Sequence, residues 1–181
     1  MISNIITYFA KYPLRDGVLK NFSRKTPSGD AEYDSVRSEI TALPPALLPG
    51  IKDYVFSTNI DVLGEKIRNI KDYFLLVEYG TIQVGRPSDA GNRESELALA
   101  ITVGCPYNKA ATDIIDETII MDTCLNYLVQ IARQMIEDND TTCPFLQWVK
   151  GSINIQPVEP VLFFGCLGWT MTVNKLENNL I

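Results

Sequence analysis

The sequence predicts an α+β fold: an antiparallel sheet with a long helix packed across one face, plus N-terminal helices and an extended arm. Three observations carry this. Tyr73–Val84 and Leu97–Val103 are rich in aromatic and branched residues and flank a polar loop, as in a long-looped antiparallel hairpin. A periodic apolar stripe then runs from Thr112 to Asp138, the pattern of one long helix. Two short strand-like runs follow it, so strands and helices are segregated rather than alternating.

Each element has its own local reason. Ile2, Ile5, Ile6, Phe9 and Ala10 form one stripe of a short helix, with Pro13 just past its end. Pro13 to Gly29 is polar, punctuated by Pro and Gly, and reads as an extended arm or surface loop. Asp30 can cap a helix through Leu43, with Tyr33, Val36, Ile40 and Leu43 on one side. Pro44, Pro45 and Pro49 end it and impose a linker. Tyr54 and Phe56 suggest a strand. Asn59–Ile70 has helical spacing at Ile60, Leu63, Ile67 and Ile70, which Gly64 weakens.

In the second hairpin strand, Leu97, Leu99, Ile101 and Val103 alternate with Ala98, Ala100 and Thr102, so a helix can pack on the small-residue face. The long helix is expected to lay Ile114, Met121, Leu125, Leu128, Ala132 and Met135 there. Asp138 and Asp140 read as its polar stop. Ile153–Gln156 and Cys166–Asn174 are the late strands. The chain divides into residues 1–50, holding the N-terminal helices, basic arm and Pro-rich linker, and residues 51–181, the α+β domain.

With 181 residues, the chain has the length of one ordinary domain and needs neither metal nor disulfides to fold. It contains no histidine, which excludes Ser-His-Asp, Cys-His and His-metal chemistry. Cys105, Cys124, Cys143 and Cys166 form no CxxC and read as buried, reduced thiols. No phosphate loop or nucleophile elbow occurs. Asp113, Asp116 and Glu117 are the densest carboxylate group; they could hold a cation, but an early-helix position also explains them through the helix dipole. Trp148 and Trp169 suit core or interface anchors. No segment reads as a signal peptide or a membrane span. The expectation is a chain without catalytic activity, metal or cofactor.

Net charge is −6, which disfavours general nucleic-acid binding. It is unevenly spread: residues 1–28 carry +4 and residues 108–148 carry −5. A basic arm and an acidic helix on one chain suit self-association. Arg15, Lys20, Arg24 and Lys25 on the arm, with Arg86 and Arg93 on the Gly85–Ser95 loop, are the candidate subunit contacts to an acidic helix face at Asp113, Asp116 and Glu117. An arm without a core of its own is expected to be removable without loss of the fold. Unused acidic surface would let DNA slide past without sticking.

The stretch from Tyr73 to Val173, with its hairpin, following helix and late Gly168-Trp169 step, resembles the tail-completion or tail-terminator-like proteins of tailed bacteriophages. The resemblance covers about 100 of the 181 residues. It implies a structural virion protein: a ring adaptor at the head–tail junction, assembled in the host cytoplasm. Its partners would be copies of itself, portal or connector and tail proteins, and DNA passing through the lumen, with no membrane. The residues preceding Tyr73 depart from the family pattern and fit arms that reach neighbouring rings. The alternatives are a cytoplasmic, non-enzymatic scaffold domain and an enzyme using carboxylates or a cysteine.

Overall fold

The computed structural model describes residues 2–57, 60–84, 95–107, 113–140, 153–158, 160 and 163–177. Along the chain run α1 (Ile2–Phe9), α2 (Arg15–Leu19), α3 (Ala31–Ala42), β1 (Asp53–Phe56) and α4 (Ile60–Arg68). There follow β2 (Phe74–Val84), β3 (Ser95–Pro106), α5 (Ile114–Asp140), β4 (Asn154–Pro157) and β5 (Cys166–Glu177). The strands form one sheet in the order β1-β2-β3-β5-β4. The α+β expectation holds, with the expected hairpin: β2 and β3 pair antiparallel from Phe74↔Gly104 to Val84↔Ser95. One pairing differs. β1 runs parallel to β2, because α4 carries the chain across before β2 begins.

Local signals account for most boundaries. The Asp30 carboxylate accepts the Tyr33 amide and caps α3, as its position predicts. The Asp113 carboxylate accepts the amides of Ile115 and Asp116 and caps α5. Gly64 does not break α4: a Cβ there would lie 2.9 Å from the Phe164 ring, so the glycine makes room for that side chain. Gly168 sits opposite Gly104 in the β3–β5 ladder, where a Cβ would strike the Val103 carbonyl. The Gly168-Trp169 step thus joins a close strand approach to an aromatic whose indole N–H donates to Met121 O of α5 at 3.1 Å.

The long helix lies on the opposite face of the sheet from the one its small neighbours suggested. Leu75, Val77, Leu99, Ile101, Val103 and Met171 share a core with Cys124, Leu128, Ile131 and Met135 of α5 and with Ile5 and Phe9 of α1. Ala98 and Ala100 are on the other face and stay half-buried. Burial scales with apolar area, and the branched face offers more of it than the alanines do. α4 covers part of the other face, setting Leu63 and Ile67 against Val55, Phe74 and Leu76.

The buried stripe of α5 is accordingly rotated from expectation. Leu128, Ala132 and Met135 are buried, Met121 and Leu125 half-buried, and Ile114 is 75% exposed. Cys124 and Ile131 take the missing places.

The N-terminal segment is part of the same core. Tyr12 and Val18 are 1% exposed, and Tyr54 of β1 donates its hydroxyl to Ile6 O. Of the segment read as an arm or surface loop, Arg15–Leu19 is helical and residues 20–30 run over the surface beside α3. Gly17 lets α2 touch β1, since a Cβ there would meet the Lys52 carbonyl. Removing residues 1–28 would therefore open the core, contrary to the expectation of a detachable arm.

Candidate functional site

The charged residues singled out from the sequence fall into three groups. Arg15 points inward: its guanidinium donates to the carbonyls of Ile40, Leu43 and Pro44 and closes the end of α3. This cation completes a helix terminus, whose last carbonyls lack internal donors. Lys20, Arg24 and Lys25 lie on the surface. Lys20 pairs with Asp53 at 2.7 Å, and Arg24 with Asp30 at 3.2 Å while stacking over the Tyr33 ring. Arg86 and Arg93 lie outside the described residues, as do Trp148 and Cys143.

Asp113, Asp116 and Glu117 gather at the start of α5. Asp113 is committed to the cap, Glu117 accepts the Tyr107 hydroxyl at 2.8 Å, and Asp116 is exposed. Among them stand Ile114, Ile115 and Ile119, exposed at 75%, 63% and 56%. An apolar cluster in an acidic rim thus projects from this end of the helix.

At its other end α5 is tied to α1. The Asp138 carboxylate accepts from Lys11, from Tyr8 at 2.7 Å and from Gln134 at 2.8 Å. With the Tyr8 proton committed to Asp138, the Tyr12 hydroxyl donates to Tyr8. Partial burial pushes the Asp138 carboxyl up, but these donors and the Lys11 charge outweigh it and hold it below the ordinary carboxylate value. Burial, with the adjacent hydroxyl and carboxylate, raises the Tyr8 phenol well above its usual range. Asp138 is thus an anchor and not a polar stop. Its partners Lys11 and Tyr8 are 127 and 130 residues away, so no local pattern announces the anchor.

Another surface feature is a cleft of about 710 Å³ at the β1 edge of the sheet. Ile2 and Ile6 of α1, Phe22, Val36 of α3 and Phe56 of β1 form its apolar walls. Lys66, Asp30 and Glu32 also line it.

The described cysteines are free and buried. Burial pushes the Cys105 thiol up to about 11 and those of Cys124 and Cys166 up to about 12, the opposite of an activated nucleophile. Among the described residues, no group of three or more Cys, Asp or Glu is placed to hold a metal ion. No helix among them is long and apolar enough to cross a membrane. The geometry offers surfaces for contact: an acid-rimmed apolar projection and an apolar cleft. No protein-family model matches this chain, and no curated protein sequence matches it.

Proposed function

We propose that this chain is a structural subunit of a tailed-bacteriophage virion, forming an oligomeric ring at the head–tail junction through which DNA passes between portal and tail. One observation carries the reading: the β2–β3 hairpin is followed by a long helix on the sheet, and the late strand β5 presents Gly168-Trp169 beneath that helix. The order and the dipeptide are those of the tail-completion resemblance. The separation of basic and acidic surface supports self-assembly, since the basic N-terminal segment meets α5 at Asp138 and not at the acidic first turns. In a ring, each chain would bring one group to a neighbour through the same heterologous contact. This role needs no catalytic residue and no cofactor.

The test is assembly. Purified protein should give closed rings in negative-stain images and a multi-subunit mass by light scattering, and the chain should be found in virions of a phage that encodes it. Reversing Arg24, Lys25, Arg86 and Arg93 to Glu should abolish incorporation while leaving the melting temperature unchanged. Each exposed pair contributes only about 0–1 kcal/mol, so the effect depends on repetition around the ring. Virions that lack the chain, or rings unaffected by the reversal, would count against the role and the contact respectively.

A further inference from the structure

We draw no further inference here: the strongest candidate, the exposed apolar patch of Ile114, Ile115 and Ile119 at the start of α5, carries nothing because nothing in the structure shows what covers it.

Discussion

Lys11 and Asp138 show how much one pair can carry. Their side chains are 18% and 21% exposed, and Tyr8 and Gln134 complete the carboxylate's hydrogen bonds. Removing one partner of a charged hydrogen bond costs about 1–3 kcal/mol, so Lys11→Met should destabilise by that order. The pH dependence has a definite sign. Asp138 is held below its unfolded value near 3.9, so its stabilisation is present above that value and is lost as the pH falls through the lower folded value. Tyr8 is raised, so its contribution is intact below about pH 10 and is lost as the pH rises beyond it. Urea titrations at pH 7 and pH 3 should show the Lys11→Met deficit shrinking in acid. An equal deficit at both would mean that the pair does not set the acid limb. The thiols of Cys105, Cys124 and Cys166 should react with a disulfide reagent only after denaturant is added, since both burial and raised pKa withhold the thiolate.

At the scale of elements, the two halves of α5 should behave differently. Leu128 is fully buried against the sheet, and Leu128→Ala should cost about 2–5 kcal/mol in reversible denaturation. Ile114→Ala, on the exposed first turn, should change stability by less than about 0.5 kcal/mol. Reversed magnitudes would place the helix the other way round. The periodicity of α5 was legible, but its phase was not. Ile114 fits the stripe by spacing, yet the helix starts before the sheet can cover it. Cys124 and Ile131 complete the true stripe, whose face is set by Leu99, Ile101 and Val103.

For the whole molecule, the N-terminal segment decides the outcome. Ile5, Phe9, Tyr12 and Val18 are at most 3% exposed and join the main core. A chain lacking residues 1–28 should lose its cooperative melting transition, detected by circular dichroism. A truncated protein that melts like the parent would show that this core is dispensable. Assembly must therefore be probed by surface substitutions that leave the core intact. Of the cations proposed for contacts, Arg15 is spent on the end of α3, whereas Lys20, Arg24 and Lys25 remain at the surface. Their distance from the acidic start of α5 was invisible in the sequence, because it depends on which end of α5 meets α1.

The sequence by itself determined the elements: the Asp30 cap, the hairpin strands, the long helix and the late Gly168-Trp169 strand. These follow from periodicity, capping and turn chemistry, which act over a few residues. Only the tertiary structure decided that β1 pairs parallel to β2, that α5 takes the branched face, and that Lys11 meets Asp138. It also turned Pro13–Leu19 from an apparent arm into a buried anchor and left Ile114, Ile115, Ile119 and Ile136 of α5 outside. Each of these choices compares distant surfaces for the area and charge they can bury together, a quantity no local window contains.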